Sequence, residues 1–405
     1  MLFTKEIGKI TYQDVLEFCD QQYRESVHLD YKQDIDASLA KTIAAMANTW
    51  GGIIVIGVED EDSKPKLPAV GVSYKEHLRE QINNIILGNI TPPVFPEVHV
   101  CRSEDDKTAF IVIRVPQSNL TPHAIKRNTR VYIRTDTSNE PEELASIDRI
   151  LWLVDKRNKS AEMKNDFYDR ANERFNTLCK KVGQFIKFND SFFAISPLYP
   201  FEILVDYEPL RGEIPRKIEV NGWRMTFPSR RMIYDEFLPT QNGAYGFFHN
   251  ERTGFISYEE INQYGFFYHR EDLSRVEEDD KGKLIPNSLL WDILTKTDLF
   301  LEAMHKLYTE LGYWGLLEIK ISMDKLQDVV FRDLPAPRGY VHFEDINASP
   351  IDHRLLFTKI VSFRELSTNR VEMVIDMVKE ISWSIGFSHI RPDTIQNLMA
   401  ENKRI

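Results

Sequence analysis

Four residues near the start of this 405-residue chain have the types and spacing for phosphate chemistry: Glu25, Asp30, Lys32 and Asp60. The first three follow the pattern E-x4-D-x-K. Residues 27–33 (VHLDYKQ) alternate, with Val27, Leu29 and Tyr31 on one side and His28, Asp30 and Lys32 on the other. That pattern predicts a half-buried strand carrying Asp30 and Lys32 on one face. Asp60 follows a second predicted strand. If the two strands are neighbours, three carboxylates and an ammonium converge at one sheet end. Mg²⁺ or Mn²⁺ takes oxygen ligands, often two or three carboxylates completed by water and phosphate. Such an ion activates water and stabilises charge on a scissile phosphodiester, and a lysine beside it can orient the water. From spacing alone, acidic residues at strand ends read as solvated charge. The run Glu59-Asp60-Glu61-Asp62 has the same ordinary reading.

The elements that must hold these residues are legible. Residues 11–21 predict a short helix capped by Thr11. Residues 38–49 (SLAKTIAAMANT) predict an alanine-rich helix ended by Gly51-Gly52. The apolar run IIVIGV reads as a buried central strand. A helix is expected over 75–88 and strands over 97–101, 109–115 and 130–135. Residues 153–163 are polar without a hydrophobic period and mark a candidate boundary, which divides the chain into an N-terminal domain, 1–155, and a C-terminal region, 156–405. A helix over about 161–187 should follow. Residues 190–275 are rich in Phe and Tyr with turn signals, which predicts hairpins. A long helix at 286–312, strands at 316–322 and 354–366, and helices at 369–387 and 392–402 complete an α+β class: an N-terminal mixed sheet with packed helices, then a larger C-terminal α+β region.

A second candidate surface is residues 123–134 (HAIKRNTRVYIR), which hold His123, Lys126, Arg127, Arg130, Tyr132 and Arg134 and no acidic residue. Arg130, Tyr132 and Arg134 fall on one predicted strand face, where guanidiniums can meet phosphate and a ring can meet a base. The ordinary reading is a charged edge strand. Asn48, Thr49, Gly51 and Gly52 read mainly as a helix cap and tight turn. His28 reads as a surface residue. Trp223, Phe247, Phe248, Tyr264, Phe266, Phe267 and Tyr268 read as core before pocket, and Arg230-Arg231 carries no signal by itself. No G-x4-G-K-[ST] loop occurs, so a P-loop NTPase is not supported.

Composition narrows the class. Hydrophobic residues are 42% and charged residues 28%, in the globular range. No apolar run approaches a membrane span, and the first residues show no secretory signal. A cytoplasmic protein without membrane contact is the expectation. The three cysteines, Cys19, Cys101 and Cys179, are far apart and suggest neither disulfides nor a zinc site. A net charge of −11 argues against non-specific adhesion to nucleic acid over the whole surface.

The string ESVHLDYK followed by AAMANTWGGIIVIGVED resembles the Schlafen AlbA-type pattern, and TPPVFP, FIVIRVPQSNLTPH and VYIRTDTSN follow in the family's order. The resemblance covers about residues 24–150. It implies a nucleic-acid-handling domain. In the animal Schlafen relatives it implies a metal-dependent endoribonuclease acting on tRNA and rRNA through three acidic residues, which carry over to Glu25, Asp30 and Asp60, with Mg²⁺ or Mn²⁺ as cofactor. The middle position is typically glutamate in those nucleases and is aspartate here, one methylene shorter. Many bacterial relatives are described only as DNA-binding regulators. The resemblance therefore implies RNA or DNA as partner. A role in bacterial defence or stress is consistent with it. A non-catalytic DNA-binding regulator, or an interaction scaffold, is the alternative. The C-terminal region is expected to sense, recruit a partner protein or form a homo-oligomer.

Overall fold

In a computed structural model the chain divides into two compact units, residues 1–160 and 161–405. The structure describes residues 5, 7–118, 120–135, 138–143, 147–200, 203–222, 226–228, 237–273, 275–278, 282, 284–313, 315–332, 347–387 and 390–402. Trp223 and the pair Arg230-Arg231 lie outside the described residues. The class is α+β. In the first unit the elements run α1 (Tyr12–Asp20), β1 (Leu29–Lys32), α2 (Ser38–Asn48), β2 (Gly52–Ile56), β3 (Asp60–Glu61), β4 (Lys64–Pro65), β5 (Val72–Ser73), α3 (Leu78–Asn89), β6 (Ile90–Thr91), β7 (Glu97–Arg102), β8 (Thr108–Val115), β9 (Ala124–Ile125), β10 (Arg130–Thr135), β11 (Ser138–Glu143) and the start of α4 (Ile147–Val182), whose residues from 161 on belong to the second unit.

The first sheet is mixed. β1 pairs parallel with β2, and β2 pairs antiparallel with β8, which also takes β5 and β7. Strand alternation sorts its side chains into two cores. Leu29, Tyr31, Ile53, Val55, Phe110 and Val112 pack with Val15 and Phe18 of α1. Ile54, Ile56, Ile111 and Ile113 pack with α2 and α3 through residues such as Ile43, Met46 and Ile82. Asp30 and Lys32 therefore belong to the helix-covered α2 side. A second sheet has the order β11-β10-β9-β6.

The glycine pair after α2 has a steric reason. A Cβ on Gly51 would lie 2.6 Å from the Gln117 nitrogen, and one on Gly52 would lie 2.6 Å from the His28 carbonyl oxygen. Backbone meets backbone at this turn, so only hydrogen fits.

The second unit is built on a seven-stranded antiparallel sheet. Its strands, in spatial order, are Leu238–Pro239, Gly243–His249, Ile256–Asn262, Phe267–Asp272, Asp190–Pro197, Leu316–Asp324 and Arg354–Ser362. One face packs on helices Leu290–Glu310, Arg370–Ile385 and Pro392–Asn402. The other packs Phe266 and Tyr268 against Phe167, Tyr168 and Phe175. The aromatic run is thus core: Phe266, Phe267 and Tyr268 are buried, and Phe247, Phe248 and Tyr264 pack partly buried against it.

Several elements differ from the sequence expectation. Residues 153–163 are helical within α4, because Leu153, Lys156 and Ser160 form a buried seam at spacings of three and four that polarity conceals. Residues 363–368 are helix rather than strand, since Ser362 and Glu365 form a reciprocal capping box. The long helix starts at Leu290, and residues 284–289 form a strand instead. The polar strand β11 has no alternation to announce it and forms by pairing with β10. Among the described residues, no helix is long and apolar enough to cross a membrane.

The second unit also buries charge. His269 meets Glu259 at 2.9 Å and Glu271 at 3.3 Å, and Lys296 reaches Glu271 at 2.5 Å, all in the core. Burial opposes protonation of His269, but Glu271 and Glu259 outweigh it and hold its pKa above the ordinary value. Burial also opposes ionisation of Glu271, yet Lys296 and His269 bring its carboxyl down to about 2. The His269 contribution to stability is complete below an unfolded value of 6.5 and is lost as pH rises through the raised folded value. The Glu271 contribution is complete above 4.5 and is lost as pH falls toward about 2. Circular dichroism melts across pH should therefore find this unit most stable between those limits. Glu271→Gln should flatten the profile and destabilise by about 3–5 kcal/mol, because Lys296 loses its buried partner.

Candidate functional site

Glu25 is held from two sides. Its backbone nitrogen donates to the Ser63 carbonyl at 2.7 Å, at the tip of the β3–β4 hairpin that carries Asp60. Its carboxylate accepts the Tyr31 backbone N–H of β1 at 2.8 Å. Gln22 adds a bond to the Pro65 carbonyl at 2.8 Å. β1, the preceding loop and the hairpin are thereby tied together, and Glu25, Asp30, Lys32 and Asp60 come within one another's electric field. Burial, then the charges of Asp30 and Asp60, push the Glu25 carboxyl up to about 7, against the Tyr31 hydrogen bond and Lys32. A carboxyl that titrates near neutrality can take or give a proton at working pH. Asp60 itself is exposed.

Asp30 has a different environment. It is 2% exposed and lies between two cations: Arg134 Nη1 at 3.0 Å on one carboxylate oxygen and Lys32 Nζ at 2.8 Å on the other. Arg134 is 1% exposed and also donates to the carbonyls of Ser26 at 2.7 Å and Leu29 at 3.4 Å. The expected shared face of Arg130, Tyr132 and Arg134 is corrected here. Tyr132 and Arg134 are buried, because β10 packs on α2 and the Arg134 side chain reaches Asp30 and the Leu29 carbonyl of β1. The Tyr132 ring lies under Lys41 Nζ at 5.1 Å, and its carbonyl accepts from Asn48 at 2.8 Å. Of the expected basic footprint, Lys126, Arg127 and Arg130 are exposed, in and beside the β9–β10 turn. Arg130 pairs with Glu143 at 2.9 Å, and Lys126 caps the Leu87 carbonyl. His123 is buried, bonded to the Pro92 carbonyl at 2.7 Å, with its pKa lowered by burial, so it is a neutral structural residue.

The Ala47-Asn48-Thr49 end of α2 ties these parts together. The Asn48 amide donates to the carbonyls of His123 and Tyr132 and accepts the His123 N–H at 2.7 Å. The Thr49 hydroxyl accepts the Arg134 N–H at 2.9 Å. The Thr49 carbonyl accepts from Gln117 at 2.8 Å and from Lys156 of α4 at 3.2 Å. Sequence reasoning missed Lys156, because a lysine in a polar stretch gives no sign of burial. A cavity of about 560 Å³ runs along α3 beside His77, Gln81 and Asn84, and none of the expected site residues lines it.

Among the described residues, no group of three or more His, Cys, Asp and Glu side chains is arranged to hold a metal ion. Glu25 and Asp60 offer the oxygen chemistry that Mg²⁺ or Mn²⁺ takes, whereas both Asp30 oxygens already face cations.

Two outcomes test this geometry. Arg134→Met should destabilise the first unit by about 3–5 kcal/mol, because Asp30 is left charged and buried. Arg134→Met with Asp30→Leu should recover most of the loss in a denaturant titration. A carboxyl-detected NMR titration should place the Glu25 midpoint near 7, and Asp60→Asn should move it down. Because the folded pKa is raised, the protonated form is favoured, so this group removes stability as pH rises from 4.5 to about 7.

The Schlafen, AlbA_2 family model matches residues 25–143. Curated proteins provide no match. The solution structure of the N-terminal domain of a RecG-related protein from Nitrosomonas europaea is similar over 34% of this chain and 94% of its own, at 16% identity and a TM-score of 0.26. The resemblance to the Schlafen AlbA-type family therefore holds over residues 25–143, the segment that contains Glu25, Asp30, Lys32, Asp60 and the basic turn.

Proposed function

We propose that residues 25–143 bind nucleic acid and that the acidic cluster makes the protein a divalent-metal-dependent endonuclease acting on RNA or single-stranded nucleic acid. The observation that carries the catalytic part is Glu25: a half-buried carboxyl raised to about 7 by burial and by two acidic neighbours that the fold brings to it. Lysozyme-like pairs of carboxyls in unlike environments divide acid and base roles in the same way. Glu25 and Asp60 would hold Mg²⁺ or Mn²⁺. Bound there, the ion would supply an activated water and neutralise charge on the phosphodiester. Asp30 acts one step back. It holds Lys32, whose ammonium is directed toward the cluster, and Arg134, which fixes the strand. Lys126, Arg127 and Arg130 are the exposed cations available to the backbone of the nucleic acid.

A second reading has its own support. Asp30 is already neutralised by two cations, which suits a domain that binds DNA as a regulator without cutting it. Purified protein with Mn²⁺ and tRNA, rRNA or single-stranded DNA separates the two. Under the nuclease reading, Glu25→Gln lowers cleavage by about 10²–10⁴-fold, the range for losing a general acid–base, and Asp60→Asn, which removes a ligand of the ion, lowers it as well, with binding retained in both. Mg²⁺ should also shift the Glu25 titration downward. Intact substrates with binding unaffected by metal would leave the regulator. Under either reading, Arg127→Ala with Arg130→Ala should weaken binding across sequences and reduce the salt slope by about 1 per lost contact.

A further inference from the structure

Two half-exposed tryptophans of the first unit stand beside the same cation. Trp50 follows Thr49 at the end of α2 and is 43% exposed, and Trp152 of α4 is 52% exposed. They share one cation: Lys156 Nζ lies 5.4 Å from the Trp50 ring centre and 5.9 Å from the Trp152 ring centre. Lys156 is itself only 4% exposed, with its ammonium on the Thr49 carbonyl at 3.2 Å. Two half-exposed indoles therefore flank a buried positive charge. Large aromatic surface left in water is unfavourable, and a cluster of it beside charge commonly marks a binding surface.

The α4 sequence extends the pattern. Arg149, Trp152, Lys156 and Lys159 recur at spacings of three, four and three, which places them along one helix face. Arg149 and Lys159 are exposed, and Lys159 pairs with Asp155 at 2.6 Å. Along this face one ring stands among three cations, and Trp50 adds a second ring beside Lys156. Rings placed among cations suit a single strand of nucleic acid, which offers phosphates and unstacked bases together; a base has a flat face for an indole and a phosphate has charge for a cation. A duplex hides its base faces and cannot use the indoles in this way. The pair is tied to the site above through buried hydrogen bonds: Thr49, whose carbonyl holds Lys156, accepts the Arg134 N–H through its hydroxyl, and Arg134 holds Asp30.

We infer that Trp50 and Trp152, with Lys156 beneath them and Arg149 and Lys159 alongside, form a stacking platform for single-stranded nucleic acid. This rests on the reading that the first unit binds nucleic acid, and it names the strand state of that partner.

The test uses the full chain and a labelled single-stranded oligonucleotide of roughly a dozen nucleotides, a length within the usual site sizes, with a duplex of equal length beside it. Trp50→Ala and Trp152→Ala should each weaken single-strand binding on the order of tenfold, as loss of a stacked base does, and leave duplex binding unchanged. Trp→Phe at either position should restore most of the affinity, since a ring is kept. Binding should also quench tryptophan emission in the wild type, and the quench should shrink in the double Phe variant. Melting temperature and far-ultraviolet dichroism establish that each variant is folded. Folded Ala variants that bind the single strand with wild-type affinity would overturn the platform while leaving nucleic-acid binding intact. So would equal losses for single strand and duplex. A wild type that binds neither probe, even at low salt, would instead overturn the underlying reading together with the platform.

Discussion

The pair formed by Arg134 and Asp30 governs the architecture of the first unit. Both side chains are out of water, where an unpaired charge is strongly disfavoured and a paired one is tolerated only with further hydrogen bonds. The structure supplies partners for both: Lys32 forms an ion pair with the second oxygen of Asp30, and the second arm of Arg134 donates to the carbonyls of Ser26 and Leu29. Strand β10 of one sheet and strand β1 of the other are thereby locked in one register, although residues 30 and 134 are far apart in the chain. The chain just before β1 is fixed by the same guanidinium, and Glu25 lies on that chain. A charge pair that contributes little net stability thus sets where the acidic cluster stands.

The Asn48-Thr49 corner does the complementary work at the other end of β10. One amide and one hydroxyl satisfy backbone groups of Tyr132, His123 and Arg134, groups that would otherwise be buried without partners. The glycines that follow allow the turn to press against the backbone of residues 28 and 117. Taken together, the cations near the cluster are mostly turned inward, to hold carboxylates and carbonyls. Of the acidic side chains, Asp60 is exposed and Glu25 is half-buried. A net charge of −11 gives no bulk attraction for a polyanion.

The second unit follows the same physical rule at larger scale. Its sheet buries His269 between Glu259 and Glu271, and it pairs Asp190 with Arg270 and Glu260 with Arg174. Each ion has a partner of opposite sign within hydrogen-bonding range, which is the condition for charge in a sheet core. Rings from the sheet and from residues 167–175 pack on the face of Arg270 and Glu260, and Phe193 and Phe227 lie beside His269 on the other.

Residue order alone determined much of this protein. Alternation in VHLDYKQ, the alanine-rich periodicity of residues 38–49 and the apolar run after Gly51-Gly52 each encode an element locally, and they put Asp30 and Lys32 on one strand face. The motif order identified the domain type of residues 25–143. Elements held by long-range pairing were not legible. Strand β11 has no pattern of its own, and the buried seam of α4 is hidden by the aliphatic stems of polar residues. Tertiary structure alone decided the environment of each charge. Spacing placed Arg134 on a face with Arg130 and Tyr132, but whether that face meets water or a helix depends on what packs against it. The same holds for Glu25, whose raised pKa comes from burial and from acidic neighbours five and 35 residues away in the chain, brought close by the fold. A side chain's type and local spacing are set by the chain, while its solvation and its partners are set by everything that folds around it.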